Sequence, residues 1–162
     1  MKKYILTLIS FFCFIESFHV YSLEVTLTQG TIKPTPIAVT DIFSEDPRSY
    51  KIGKNISQVI SDNLERSGLF LPIDQKAFVQ NSESLSKQPR FEDWKVIKSQ
   101  HLIAGKINKI GNKISVEFRL YDVFAQKELL AKKYQTSEKN WRRVSHIISD
   151  AVFSRITGDS GY

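Results

Sequence analysis

The feature that most constrains this fold is a two-residue turn, Gly111-Asn112, between two extended runs. Gly and Asn in so short a connection are typical of a β-hairpin, because both tolerate the positive φ angles that the turn requires. Residues 101–110 therefore form one strand, and a second turn at residues 125–127 leads into another strand over residues 128–136. The pattern predicts a three-stranded meander. Side chains in its middle strand alternate: Ile114, Val116, Phe118 and Leu120 face the core, while Ser115, Glu117, Arg119 and Tyr121 face away.

Two amphipathic helices form the next clearest pattern. The first has an apolar stripe at spacings of three and four and ends at Gly68; its stripe is Ile52, Ile56, Val59, Ile60 and Leu64. The second, with Ser137 as its expected N-cap and Gly158 as its stop, has the stripe Trp141, Val144, Ile148, Ala151, Val152 and Ile156. We interpret Trp94 and Trp141 as core anchors, with binding aromatics as the alternative.

Shorter elements complete the prediction. Buried strands are expected at residues 37–40 and 69–71, polar loops at residues 44–48 and 75–90, and a short helix at residues 91–98. Pro34 and Pro36 bracket Thr35 and are expected to prevent strand pairing there. Helices follow strands, but the last three strands form a meander. The order therefore predicts an α/β (α+β) sandwich, a mixed sheet of about five strands with two main helices on one face.

Residues 1–22 have the pattern of a secretory signal peptide. Two lysines precede an apolar run over residues 4–15 that is too short to span a bilayer, and cleavage is expected between Ser22 and Leu23. An uncleaved anchor is the alternative. Cys13, the single cysteine, lies in this run without a small-residue lipobox, so the mature chain would hold no disulfide. Loss of two lysines and one glutamate lowers the net charge from +6 to +5, as in a moderately basic, soluble exported protein.

Catalytic, metal and cofactor motifs are missing from the sequence. His101 and His146 have no spacing that would make them joint metal ligands, and the mature chain offers no cysteine to complete a site. Glu92 and Asp93 are adjacent and diverge on a helix, so they serve better as favourable charges in its first turn than as an acid/base pair. No nucleophile elbow, Walker loop or dinucleotide fingerprint occurs. We therefore expect no enzyme: no catalytic residues, no metal and no cofactor.

Basic residues gather on and near the hairpin: Lys106, Lys109, Lys113, Arg119, Lys132 and Lys133. Such a patch could contact nucleic acid or an anionic lipid surface. Export makes nucleic acid an improbable partner, and Glu117 and Glu128 interrupt the patch. Two interpretations remain, a solvated sheet face and an envelope-binding surface of a generic exported α/β domain.

The start of the mature chain alternates between apolar and polar residues. Leu23, Val25 and Leu27 lie on one face of a predicted strand, and a turn follows at residues 29–31. A strand at a free end can add to the edge of a partner's sheet, where main-chain bonds give affinity and alternate side chains give selectivity. It could equally pair within its own sheet or stay disordered.

Four stretches together carry a resemblance to a known family. They are KPTPIAV, NLERSGLFLPID, RLYDVFAQKEL and WRRVSHIISDAVFSRITGDSGY, in this order and at similar spacing. With them, residues 23–162 resemble the amino-terminal domain of the TolB family, the periplasmic component of the Tol–Pal system. The resemblance implies a periplasmic protein with a TolB-like α/β domain over residues 35–158, no enzymatic activity and no stable membrane insertion after cleavage.

The resemblance also implies partners. TolB links TolA of the inner membrane to Pal of the outer membrane and supports outer-membrane integrity and invagination during cell division. TolA would be engaged by the first mature residues, residues 23–34, which are Leu23, Glu24, Val25, Thr26, Leu27, Thr28, Gln29, Gly30, Thr31, Ile32, Lys33 and Pro34. Pal binds mostly to a β-propeller that would begin at residues 159–162. We therefore expect a TolB fragment that retains the TolA-facing domain and has little or no affinity for Pal.

Overall fold

The computed structural model describes residues 33–86 and 88–159. The predicted signal peptide, residues 1–22, and the alternating strand predicted over residues 23–28 lie outside them. The described elements are β1 (Thr35–Val39), α1 (Pro47–Arg66), β2 (Phe70–Pro72), α2 (Phe91–Val96), β3 (His101–Ile110), β4 (Lys113–Asp122), β5 (Lys127–Ser137) and α3 (Trp141–Thr157).

Five strands of the described residues form one mixed sheet in the order β2-β1-β3-β4-β5. β1 pairs in parallel with both β2 and β3, whereas β3, β4 and β5 form the antiparallel meander that the turns predicted. The hairpin closes with Ile110 opposite Lys113, and Gly111 adopts a φ of +59°, which a glycine enters without strain. The predicted α/β sandwich with a mixed sheet of about five strands is therefore confirmed.

The predicted effect of the prolines is wrong, because Pro36 lies inside β1. It stands opposite Leu71 of β2, and its carbonyl oxygen accepts a hydrogen bond of 3.0 Å from the backbone N–H of Gln100. Pairing with β3 begins only at Ile37, opposite His101. The missing N–H of Pro36 thus falls just before the ladder with β3 and costs it no hydrogen bond.

Helix α1 begins earlier than the sequence pattern predicted. Residues 44–48 were expected to be a loop, but Pro47 is already helical. Asp46 is the N-cap and accepts a 2.8 Å hydrogen bond from the backbone N–H of Ser49. Proline suits the first helical position because its missing N–H would have no partner there. Helix α3, the second of the two long helices, also differs at its start. Ser137 ends β5, and Asn140 rather than Ser137 is the N-cap of α3.

The main core lies between one face of the sheet and the helices α1 and α3. Ile56 and Ile60 of α1, Ile148 of α3 and Phe118 of β4 are fully buried in this cluster. The side chains predicted to face the core from β4, namely Ile114, Val116, Phe118 and Leu120, all do so. Both long helices therefore cover the same face, as the sequence predicted.

A second, smaller core covers part of the opposite face. Trp94 of α2 is buried there with Leu102 and Tyr121, and Phe91 packs edge-on against Tyr121 with ring centroids 5.9 Å apart. Tyr121 and Ser115 face away from the main core as predicted, yet both are buried. The polar loop over residues 75–90 also contributes to this second core, because its residue Gln80 is buried.

Gln80 acts as a polar anchor of that loop. Its side-chain oxygen accepts hydrogen bonds from the indole N–H of Trp94, at 3.2 Å, and from the backbone N–H of Arg90, at 2.9 Å. A buried amide that satisfies two donors fixes the loop to α2 at little desolvation cost. Trp94 is thus a core anchor, whereas Trp141 is half-buried and has the Arg142 guanidinium 4.9 Å above its ring.

Candidate partner-binding region

The predicted partner-binding segment reaches the described part of the chain at its last two residues. Residues 23–32 lie outside the described residues, whereas Lys33 is exposed and Pro34 is half-buried. Directly after them, the backbone N–H of Thr35 donates a 2.9 Å hydrogen bond to the carbonyl of Leu69. The segment is therefore joined to the start of β1, a strand paired on both sides within the sheet.

A groove between α1 and α3 lies close to this point of attachment. It has a volume of about 410 Å³, and Ser67, which lines it, precedes Leu69 by only one further residue, Gly68. The hydroxyl of Ser67 donates a 2.6 Å hydrogen bond to the carbonyl of Leu64 and so secures the end of α1. The groove therefore lies at the end of α1 that leads into β2.

A polar cluster in this groove joins the two helices. The side-chain amide of Asn63 contacts His146 Nδ1 at 2.9 Å and donates to the Ser149 hydroxyl at 3.1 Å. The Ser149 hydroxyl in turn donates to the carbonyl of Ser145 at 3.0 Å. Asn63 separates the histidine from the serine, so this geometry holds two helices together and does not build a nucleophile and base pair.

The sequence analysis did not single out Asn63. It lies beside the apolar stripe of α1, where polar residues are expected, and its partners follow 83 and 86 residues later in the chain. No local pattern reports such a contact. Only the packing of α1 against α3 shows it.

The histidines and carboxylates do not form a metal site in the described residues. No group of three or more metal-ligating side chains occurs within residues 33–86 and 88–159. His101 stands opposite Asp122 on neighbouring strands, and burial lowers the pKa of this histidine while the charge of Asp122 partly opposes the change. His101 stands opposite Ile37 and shares the parity of Ile103 and Ile107, so it belongs to the face of the sheet that carries the main core.

The basic patch is largely neutralised by nearby carboxylates. Glu117 lies 2.8 Å from Lys133 and 3.5 Å from Lys106, so it pairs with strands on both sides of β4. Arg119 pairs with Glu128 at 3.5 Å, and Lys109 pairs with Glu138 at 3.5 Å. The hydrogen bond from Lys133 lowers the pKa of Glu117 and so favours its charged form. These pairs favour a solvated sheet face over an envelope-binding surface.

The described residues therefore define an α/β domain whose polar groups tie its own elements together. Within those residues, no helix has both the length and the apolar character needed to cross a bilayer.

Comparison with known proteins identifies the family. The family model of the TolB amino-terminal domain matches residues 23–129. The chain is 43% identical over 149 residues to the Tol-Pal system protein TolB of Pelagibacter ubique (strain HTCC1062), an alignment that covers 86% of this chain and 33% of that protein. The chain belongs to the TolB amino-terminal domain family, and it spans about a third of the length of this curated relative.

Solved structures share the fold. TolB from Acinetobacter baumannii superposes with a TM-score of 0.65 at 24% identity, over 80% of this chain and 30% of that one. The hypothetical protein CT253 from Chlamydia trachomatis superposes with a TM-score of 0.57 at 16% identity, over 78% of this chain and 100% of its own. At these identities the likeness describes the architecture of the domain.

Proposed function

We propose that this chain is a periplasmic, non-enzymatic interaction component of the Tol–Pal system, and that residues 23–34 bind TolA. The observation that carries this proposal is the extent of the family match, which begins at residue 23, directly after the predicted signal peptide, and continues through β1 into the folded domain. This starting point agrees with a signal peptide over residues 1–22 that is removed and with a binding segment at the amino terminus of the mature chain.

The attachment of the segment supports a role for main-chain pairing. Thr35 is fixed to Leu69 by a backbone hydrogen bond, and β1 pairs with β2 over Thr35–Ile37 and with β3 over Ile37–Val39. A strand-forming segment that precedes a strand already paired within the sheet can add to a partner's sheet while the domain stays folded. Pal binding is proposed to be weak or missing, because the resemblance places it mostly on a propeller outside residues 35–158.

The direct test uses the chain that begins at residue 23. Its binding to the periplasmic domain of TolA is measured by titration calorimetry. Deletion of residues 23–34 should abolish binding and leave the urea unfolding transition cooperative. Unchanged affinity after the deletion would overturn the proposal.

A matched pair of triple variants tests the alternation itself. Serine at Leu23, Val25 and Leu27 should weaken TolA binding at least tenfold, because it removes the apolar face of the strand. Serine at Glu24, Thr26 and Thr28 changes the opposite face and should alter affinity much less. Equal losses in both variants would show that the segment does not bind as an extended strand.

A further inference from the structure

β5 is an outer strand of the sheet formed by the described residues, and one of its edges is unpaired there. Residues 130–137 form a regular ladder with β4, from Leu130 opposite Leu120 to Ser137 opposite Lys113. No strand among the described residues pairs with the other side of β5. Alternate residues of an antiparallel edge strand direct both N–H and C=O outward, so this edge can accept a further strand. We call residues 130–137 the β5 edge.

One end of the β5 edge is closed by a side chain. The register shifts between Leu120 and Tyr121, which leaves Leu129 outside the ladder. The Arg155 side chain of α3 donates a 2.9 Å hydrogen bond to the Leu129 carbonyl. A bulge with a satisfied carbonyl ends the pairing surface, so an added strand would run beside residues 130–137.

A groove follows the β5 edge on the helical side. It has a volume of about 450 Å³, and Leu130, Lys132 and Tyr134 line it from β5. From α3 it is lined by Ile147, Asp150, Ala151, Ser154 and Arg155. The Tyr134 ring is stacked on Phe118 with centroids 6.3 Å apart, so the floor of the groove is fixed. Every second side chain of a strand laid on the β5 edge would point into this groove.

The charge along the edge selects the kind of strand that fits. Lys132 lies between Leu130 and Tyr134 on the groove side and belongs to no ion pair among the described residues, whereas Lys133, on the other face, is held by Glu117. Antiparallel pairing of two copies centred on Lys132 or Lys133 would place a lysine opposite its own copy, and like charges placed across strands are destabilising. The chain's own residues 23–34 carry one Glu and one Lys, so they offer no net negative charge. Two cations, Lys132 and Arg155, and one carboxylate, Asp150, line the groove, so its lining carries a net positive charge. A carboxylate facing Lys132 would balance that charge.

We propose that the β5 edge binds an extended acidic segment of a partner protein by β-strand addition. The bound segment places apolar side chains beside Leu130 and Tyr134 and a carboxylate beside Lys132. Main-chain hydrogen bonds supply affinity, and the apolar, acidic, apolar order on one face supplies selectivity.

The test uses a fluorescent seven-residue peptide with Val, Glu and Val at its second, fourth and sixth positions and Thr between them. Binding to the chain from residue 23 is followed by anisotropy at 0.15 M salt, where weak long-range attraction is screened. We expect saturable binding, a tenfold or larger loss with Lys132→Glu, and recovery when the peptide carries Lys in place of Glu. Lys113→Glu is the matched control, because Lys113 is an exposed lysine of β4 outside the groove.

Backbone methylation of the peptide tests strand addition separately from charge. Methyl groups on alternate amides block one edge of a strand, so one of the two alternately methylated peptides should lose binding and the other should keep it. Equal binding of both, or equal losses from Lys132→Glu and Lys113→Glu, would overturn the proposal. If the chain formed a stable dimer that dissociated when peptide was added, the β5 edge would bind a second copy instead. If deletion of residues 23–34 tightened peptide binding, the β5 edge would bind that segment instead.

Discussion

Gly53 of α1 lies against the backbone carbonyl of Ile42, so close that a Cβ at this position would overlap the carbonyl oxygen. The same Cβ would also lie 3.2 Å from the Ile107 side chain of β3. One helical turn later, the Ser57 hydroxyl accepts a 2.9 Å hydrogen bond from the Ile42 backbone N–H. Two contacts therefore hold the segment after β1 against α1: the close approach that Gly53 permits and the hydrogen bond to Ser57. Both can be tested.

Substitution of Gly53 by Ala should destabilise the domain although alanine is the better helix former. Alanine gains about 1 kcal/mol of helix propensity over glycine. The overlap with the Ile42 carbonyl forces α1 away from the sheet, and overpacking of this kind typically costs about 1–3 kcal/mol. Because the overlap is with backbone atoms, the cost should lie at the upper end of that range. After subtraction of the gain in helix propensity, we expect a net loss of about 2 kcal/mol in the free energy of unfolding, measured by urea denaturation.

The control for Gly53→Ala is Asn55→Ala, at an exposed position of the same helix. Surface substitutions usually change stability by no more than about 0.5 kcal/mol. If Gly53→Ala behaved like Asn55→Ala, the close approach of α1 to Ile42 would be refuted.

Ser57→Ala should cost about 1–3 kcal/mol, the penalty for a buried donor left without an acceptor. The Ser57 hydroxyl accepts from the Ile42 N–H and lies 2.9 Å from the Thr40 carbonyl, to which it donates. Alanine removes both bonds in a site that water does not reach, since Ser57 is buried. Ser61→Ala, a half-buried serine one turn later, is the comparison, and a loss of the same size there would contradict this assignment.

Local chemistry explains which parts of the fold were predictable. The Gly111-Asn112 turn and the alternation of β4 depend on residues adjacent in sequence, so the hairpin and its core-facing side chains were predicted correctly. The position of Pro36 was not, because a proline's effect on pairing depends on where the neighbouring ladder begins. That point is set by the pairing of Ile37 with His101, far along the chain.

Packing between distant residues explains what the sequence did not reveal. Gln80 belongs to a segment that looks like a surface loop, and only its bonds to Trp94 and Arg90 bring it into the second core. The groove beside Asn63 and His146 has the same origin. The alternation over residues 23–28 could be recognised from its pattern, but the surfaces of the folded domain could not.

Phe118→Ala should cost about 3–5 kcal/mol, the usual range for truncating a fully buried phenylalanine. Phe118 is fully buried between the sheet and the long helices, with its ring stacked on Tyr134. That loss is a large part of a typical stability of about 5–15 kcal/mol, so thermal unfolding should shift far downward.

Glu117→Ala is the control for the register of β4. Glu117 faces the opposite side, where its pairs with Lys106 and Lys133 are partly exposed. Exposed ion pairs contribute about 0–1 kcal/mol, so this variant should stay close to the parent. A larger loss at Glu117 than at Phe118 would mean that the strand is shifted by one residue.

The cap of α1 should give the domain a specific dependence on pH. Hydrogen bonds from the Ser49 hydroxyl, at 2.7 Å, and the Ser49 backbone N–H, at 2.8 Å, hold the pKa of Asp46 below its usual value of 3.8. The folded state therefore binds the proton more weakly than the unfolded state does. Its stabilisation is fully present above pH 3.8 and is lost as the pH falls through the lower, folded pKa.

Asp46→Asn isolates this charge, because asparagine is a neutral N-cap that can still accept from the Ser49 N–H. We expect the parent to unfold at a higher urea concentration than Asp46→Asn at pH 6, and the two midpoints to converge as the pH is lowered toward 2. The urea midpoint of Asp46→Ala should stay below both of the others at low pH. Alanine offers no hydrogen-bond acceptor to the Ser49 N–H, whereas asparagine and a protonated carboxyl both do. A gap between parent and Asp46→Asn that did not change with pH would show that the carboxylate charge is not what stabilises the start of α1.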